Sequence, residues 1–317
     1  MQRYIIRRLG YSFVSILGLT LLVFILLRAV PGDVVTILAG AEGAALSDAR
    51  MEEVREEFGL NRPLPVQYVT WLGDMAQGDF GASLFTGRPV LDSFWSRLPV
   101  TAQLGVFSLA ISVLIAVPIG TISALKQDSA TDQSLRFASV LALAIPNFWL
   151  GTMVVVFGSL WFGYSPPIRY LSPFEDPLGN LKQFLVPGLV LGTALSASLV
   201  RMLRSSMLEV MRDDYIRTAR AKGLGSYDIV VHHMMKNALI PVITLFGLQV
   251  GTVISGTVII ESIFNLPGMG RMLVGAITQR DYPVVQGLIL AFGAAIILVN
   301  LLTDLMYGVL DPRISYK

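Results

Sequence analysis

The sequence contains no cysteine, so disulfides and thiolate metal sites are excluded and composition gives no hint of redox compartment. Charge is scarce: Asp, Glu, Lys and Arg make up 15% of the 317 residues, hydrophobic residues make up 54%, and mean hydropathy is positive. That balance excludes an ordinary soluble enzyme and fits a polytopic membrane protein. A formal net charge of +2 is too small to mark a nucleic-acid-binding surface. No Gly-Lys pair occurs anywhere, so the GxxxxGK[ST] phosphate loop is missing and the chain has no ATP site of that kind. HExxH, GxSxG and paired-cysteine patterns are missing too, which leaves no catalytic residue to name and argues against an intramembrane enzyme. His232 and His233 are adjacent, about 100° apart on a helix. They read as membrane-surface histidines, with no metal site expected.

Apolar runs are abundant. Arg3, Arg7 and Arg8 precede an uncharged run from Leu9 to Leu27, close to the roughly twenty residues that cross a bilayer core. The run lacks a small-residue cleavage signature and exceeds a signal-peptide core, so it is expected to stay as an anchor with its basic end in the cytoplasm. Pro31-Gly32-Asp33 breaks it. Five further spans are expected at Thr101–Leu125, Phe137–Gly163 (interrupted at Pro146), Phe184–Val200, Leu239–Ile260 and Gly287–Leu310. Gly192, Ala194, Ser196, Ala197 and Ser198 in the fourth suit close helix packing or a pore lining. The fold class is therefore an all-α polytopic membrane protein with six transmembrane helices and a large external segment between the first two.

In domain terms, residues 1–30 are the cytoplasmic N-terminus and first span, and 31–100 form an external (periplasmic) subdomain. Residues 101–310 are the core with spans two to six, including a cytoplasmic loop over 201–237, and 311–317 are a cytoplasmic tail. In the external segment, Ser47 can cap a helix through Phe58, and Val66–Met75 can form another, carrying Tyr68, Trp71, Leu72 and Met75. Gly78-Asp79-Phe80-Gly81 marks a turn. This subdomain reads equally as a structural cap over the spans or as a contact for an external binding protein. The interval Arg201–Lys236 holds seven Lys or Arg residues, against two each in Tyr164–Gln183 and Glu261–Pro283, which supports both termini inside.

Charged residues near the spans are few. Asp304 stands about two turns before Asp311-Pro312-Arg313, so a pairing or structural hydrogen bond is expected there rather than a proton pathway. Glu261 reads as a solvated acid at the external end of the fifth span, and Lys126, Asp128, Asp132 and Arg136 as a short charged turn. So few acids disfavour a proton-coupled carrier and favour a pore powered from outside the chain.

The polar interval Arg212–Pro241 reads RDDYIRTARAKGLGSYDIVVHHMMKNALIP. Asp213 or Asp214 can cap a short helix that Gly223 or Gly225 ends in the left-handed conformation. Tyr215, Ala219 and Gly223 fall at helical spacing, giving a face of one aromatic and almost no side chain, open to close approach by another surface. Arg217, Arg220 and Lys222 line the rest, and Ser226 can cap a second helix running toward Ala238. Composition alone leaves two readings open: a basic loop that sets orientation, or a docking loop.

The run TARAKGL followed by KNALIP resembles the cytoplasmic EAA loop of bacterial ABC importer permeases of the dipeptide, oligopeptide and nickel family. The general pattern is Glu-Ala-Ala, three residues, Gly, nine residues, Ile-x-Leu-Pro. Here Arg217, Thr218 and Ala219 hold the Glu-Ala-Ala place before Gly223, and Lys236 stands where the proline would be. The Arg-Thr-Ala-Arg-Ala-Lys-Gly form is typical of the peptide and nickel branch. The opening YIIRRLGYSFVSILGLTLLVFILLRAVPGD and the segments NLPGMGRMLVGAI, RDYPVVQG and LVNLLTDLMYGVLDPRI are similar to the same permeases, so the resemblance covers essentially the whole chain. It implies an ABC importer type I permease fold in the bacterial inner (cytoplasmic) membrane. Expected partners are a homologous second permease subunit, two ABC ATPase subunits carrying ATP and Mg, an external solute-binding protein and membrane lipid. No cofactor is expected in this chain, and no nucleic acid. The ATPase-coupling surface would be Tyr215, Arg217, Thr218, Ala219, Arg220, Ala221, Lys222, Gly223 and Leu224. The solute would be a peptide or a related small molecule, and the same branch also handles nickel chelates, glutathione, opines and oligosaccharides. The sequence names no substrate-binding residue. A stand-alone secondary transporter or channel is the alternative class, marked by gradient-driven flux without an ATPase.

Overall fold

A computed structural model describes residues 2–29, 56 and 61–310. Among the described residues, pairing of extended segments is limited to the bridge between Ala82 and Pro89. The helices are α1 (Gln2–Ala29), α2 (Leu64–Ala76), α3 (Val90–Leu125), α4 (Ala130–Ala144), α5 (Asn147–Phe162), α6 (Pro177–Val210), α7 (Asp214–Ala221) and α8 (Ser226–Asp228). A π-helical stretch, Ile229–Met234, then leads into α9 (Met235–Ile263), followed by α10 (Met269–Gln279) and α11 (Tyr282–Leu310).

Among the described residues, five stretches are long and apolar enough to cross a membrane alone: Ile6–Ala29, Val90–Leu125, Pro177–Val210, Ser226–Ile263 and Tyr282–Thr303. A sixth exists only as the pair α4 and α5, bent by 96°. The third span is therefore a broken element beginning at Ala130, and not one run from Phe137. Pro146 supplies no N–H and disfavours helical geometry at the residue before it. Ile145 accordingly leaves the helix at ψ 120.

The described residues fall into two compact units, those of Met1–Pro99 with Gly268–Leu298, and those of Val100–Pro267 with Val299–Lys317. In the first, α2 lies on α1. The hydroxyls of Thr20 and Tyr68 share a hydrogen bond of 2.9 Å, and the Phe24 ring stands 5.2 Å from Tyr68 and 5.9 Å from Trp71. Arg28 covers Phe24 at 3.5 Å and donates from Nε to Gln67 Oε1 at 3.0 Å. The turn after α2 is the one the glycines mark: Gly78 and Gly81 take φ of +87° and +76°, where a side chain would be strained. Ser83 Oγ donates to buried Asp281 Oδ2 at 2.5 Å, which fixes the next loop. The expected helix from Ser47 to Phe58 lies outside the described residues.

In the second unit α6 is the most enclosed of the spans. A Cβ added at Gly192 would sit 2.8 Å from the Ser108 carbonyl, so the small residues of α6 serve close packing against α3. Gln249 of α9 donates from Nε2 to Leu195 O at 2.9 Å and Ser198 Oγ at 2.7 Å, tying α9 to α6.

Two acids expected in solvent are buried. Glu261 is inside α9, which runs on to Ile263, and its Oε1 accepts from Thr101 Oγ1 at 2.7 Å. Asp132 is likewise 0% exposed. Both corrections have one cause: a carboxylate within two turns of a helix end looks solvated in sequence, but a distant hydroxyl or guanidinium can take it inside. The expected partners of Asp304 at 311–313 lie outside the described residues.

Candidate functional site

The polar interval after α6 folds as a short helix laid on the protein's own core. Asp213 leaves helical geometry (φ −66°, ψ 147°) and starts α7 without a side-chain cap bond. Asp214 in the first turn pairs with Arg217 one turn on, an arrangement the helix dipole favours. Gly223 at φ +79° ends the helix, and the Leu224 N–H returns to Ala219 O at 3.3 Å. Gly223 is thus the stop, Gly225 opens α8, and Ser226 is the first residue of α8 and not its cap.

The burial pattern corrects the expected docking face. Ala219 is 6% exposed and Ile216 0%. They stand three residues apart, so they share one helix face. That face packs inward with Met207 and Val210 of α6, Ile229 and Met234 of the π stretch, and Ala238 of α9. Ala219 is small so that α7 can lie close to its own chain. Tyr215, 39% exposed, is tethered as well: its hydroxyl accepts from Asn237 Nδ2 at 2.7 Å and lies 3.4 Å from the His233 carbonyl. Arg217, Thr218, Arg220, Ala221, Lys222, Gly223 and Leu224 are exposed together. The outward surface is therefore basic and low in bulk.

Two residues and one backbone feature that sequence reasoning left out belong to this arrangement. Ile216 was legible as the one bulky apolar residue of a polar helix. Asn237 had no such signal, because its partner is 22 residues away. Neither did the π-helical geometry of His232 and His233, a form common at functional joints. His232 Nδ1 sits 3.4 Å from Asp228 Oδ1, both exposed. Among the described residues no three His, Asp or Glu side chains converge on a metal-sized site.

The core under α7 is shared. Ala116 and Ala124 of α3, Leu199 to Val210 of α6, Ile216 and Ala219, and Ala238 and Val242 of α9 form one buried cluster. A push on α7 therefore meets three spans at once.

The profile of a family described as the binding-protein-dependent transport system inner membrane component matches residues 116–316, and that of its N-terminal region matches residues 1–105. The chain belongs to this family. It is a multi-pass inner-membrane component of a transport system, and α7 lies within the matched core. Its relatives include the oligopeptide transport system permease protein AppB of Bacillus subtilis, 40% identical with all of both chains covered. The dipeptide transport system permease protein DppB of Escherichia coli K12 is 38% identical, again with complete coverage of both. A putative peptide permease protein of Brucella ovis is 41% identical over 99% of each chain. Among solved structures, the methionine ABC transporter MetNI in inward-facing conformations matches with a TM-score of 0.55 at 14% identity, covering 69% of this chain and 96% of that one. An amino acid ABC transporter matches at a TM-score of 0.52 and 16% identity, covering 69% and 95%. The fold is that of an ABC importer type I permease.

Proposed function

We propose that the chain is a membrane-spanning permease subunit of an ATP-driven bacterial importer for peptides or related small solutes, and that α7 with Gly223 and Leu224 is its contact with a separate ATPase subunit. The observation that carries this reading is the layered build of α7: an exposed basic outer face over an inner face seated in a core common to α3, α6 and α9. Relatives at about 40% identity named as oligopeptide and dipeptide permeases support the solute class.

In this reading the partners are a homologous second permease, two ATPases holding ATP and Mg, and an external solute-binding protein. This chain does no chemistry. Residues 31–100 are external, 201–237 and 311–317 cytoplasmic, and the excess of Lys and Arg in 201–237 accords with that orientation. Closure of the ATPase pair presses Arg217, Arg220 and Lys222, and the buried Ile216–Ala219 face passes the displacement to the feet of the spans. The result is a shift between inward-open and outward-open populations, in which the ATPases supply the bias.

The test is a pull-down of the tagged chain from native membranes, with mass spectrometry of its partners and uptake measured in proteoliposomes. Recovery of a P-loop ATPase and a second multi-span subunit, with peptide uptake that requires ATP, is the expected result. A chain recovered alone that conducts solute down a gradient would move the assignment to a stand-alone carrier.

A further inference from the structure

Outside α7, the strongest polar constellation among the described residues lies where α4 begins. Asp132 is 0% exposed and satisfied on both oxygens. Arg204 of α6, 72 residues away, reaches it as a fork: Nε donates to Oδ1 at 2.8 Å and Nη2 to Oδ2 at 2.6 Å. Ser123 Oγ at the end of α3 donates to Oδ1 at 2.5 Å, and the Asp128 N–H, from a residue held at φ +61°, donates to Oδ2 at 3.0 Å. One carboxylate thus binds α3, the turn after it, α4 and α6. A bidentate guanidinium fixes direction as well as distance, so α4 can neither slide along α6 nor rotate against it while the pair is intact.

The location gives the pair a mechanical meaning. Arg204 follows Leu203 and precedes Ser206 and Met207, all buried, and Leu203 and Met207 belong to the core that seats Ile216 and Ala219 of α7. That core contains residues of α3, α6 and α9 but none of α4. The apolar seat under α7 therefore leaves α4 out; α4 packs along α6 outside that seat, and the Asp132 network fixes the register of that packing. Burying charges is an expensive way to hold two helices together, since well-packed apolar residues of like volume often do as well or better. What the ion pair adds over grease is a single fixed register.

We propose that Asp132 and Arg204 are positioning residues for transport: they lock α4 to α6, so that a displacement delivered through α7 moves α3, α4, α6 and α9 as one body. The inference rests on the reading of α7 as the ATPase contact. Without the lock, α7 still moves α6 and α9, and α5, which packs on both, follows them, but α4 slips against α6 and ATP is spent without a complete change of access.

The test uses the assembled transporter in proteoliposomes and a paired apolar substitution, Asp132→Leu with Arg204→Met, which removes both charges and so leaves no unpaired charge, while removing the acceptor for Ser123 Oγ and the Asp128 N–H. Two quantities are read: solute imported per ATP hydrolysed, and the distance between spin labels on α4 and α6. The chain has no cysteine, so Ser134→Cys and Ser205→Cys, both exposed, give unique label positions outside α7. In the otherwise unmodified complex the label distance is expected to stay the same with and without ATP. In the apolar pair it should broaden and become ATP-dependent, and import per ATP should fall about fivefold or more, the lower end of typical couplings. Should the apolar pair fail to assemble, Arg204→Lys serves instead: it keeps the charge, loses the fork, and is expected to show a smaller drop of about twofold to fivefold. Import per ATP equal to that of the unmodified complex in whichever variant assembles would overturn the proposal. So would a label distance that already changes with ATP in the unmodified complex. Failure of the underlying function would look different: the unmodified complex would show no ATP-dependent import, whatever the variants do.

Discussion

Two polar turns interrupt the apolar chain at comparable places, and they are built on opposite terms. The turn from Lys126 to Arg136 takes its acid inside: Asp132 is enclosed and paired with Arg204, Ser123 and the Asp128 N–H. The interval from Arg212 to Lys236 keeps Asp213, Asp214 and Asp228 in solvent and buries Ile216 and Ala219. A buried ion pair is stiff and directional, and losing half of it is costly. An apolar contact is non-directional and tolerates sliding. The first turn is a weld between helices. The second is a seat on which a helix rests and can be pressed, steadied by the bonds of the Tyr215 hydroxyl to Asn237 and the His233 carbonyl.

The largest effect that should separate the two comes from Arg204→Ala. It leaves the enclosed Asp132 charge unpaired, with only Ser123 Oγ and the Asp128 N–H still donating to it, at a cost of up to about 3–5 kcal/mol, and a thermal melt of the detergent-solubilised chain should show marked destabilisation. A melt indistinguishable from the unmodified chain would mean the weld is no weld. Next is Ile216→Ala, which empties a fully buried side chain of α7 and should cost about 2–4 kcal/mol. The loss should be local, read as faster hydrogen exchange in α7 and the π stretch while α4 is unchanged. Exchange that rises equally in both turns would erase the distinction drawn here. The smallest is Tyr215→Phe, which keeps the ring and removes the hydroxyl held by Asn237, at about 1 kcal/mol. Asn237→Leu in the same chain should add almost nothing to it, because the two share one bond. Full additivity would show that the 2.7 Å contact contributes nothing.

The same contrast explains what could be read from the sequence. Apolar runs and their Pro and Gly punctuation are local signals, and they located the five apolar spans, the bent pair broken at Pro146 and the turn at Gly78–Gly81, and they narrowed the end of α7 to Gly223 or Gly225. The basic and small residues of TARAKGL marked a short helix with a basic outer face. Which way that helix faces was misjudged at Ala219, because spacing from Tyr215 was weighed and spacing from Ile216 was not. Asp132 and Glu261 could not be placed from their neighbours. Their burial depends on Arg204 and Thr101, 72 and 160 residues away, and nothing in a charged turn announces a partner at that range. The Asn237–Tyr215 bond was illegible for the same reason: its two ends are 22 residues apart.

The central claim is that the outer face of α7 meets an ATPase. It is tested most directly by placing the chain's sole cysteine at exposed Ala221 through Ala221→Cys, attaching a short photo-crosslinker, and irradiating native membranes with and without ATP. The account predicts a crosslinked product containing a P-loop ATPase, with a yield that changes between the two nucleotide conditions. A product containing only lipid or this chain itself, from membranes in which the transporter is active, would contradict it.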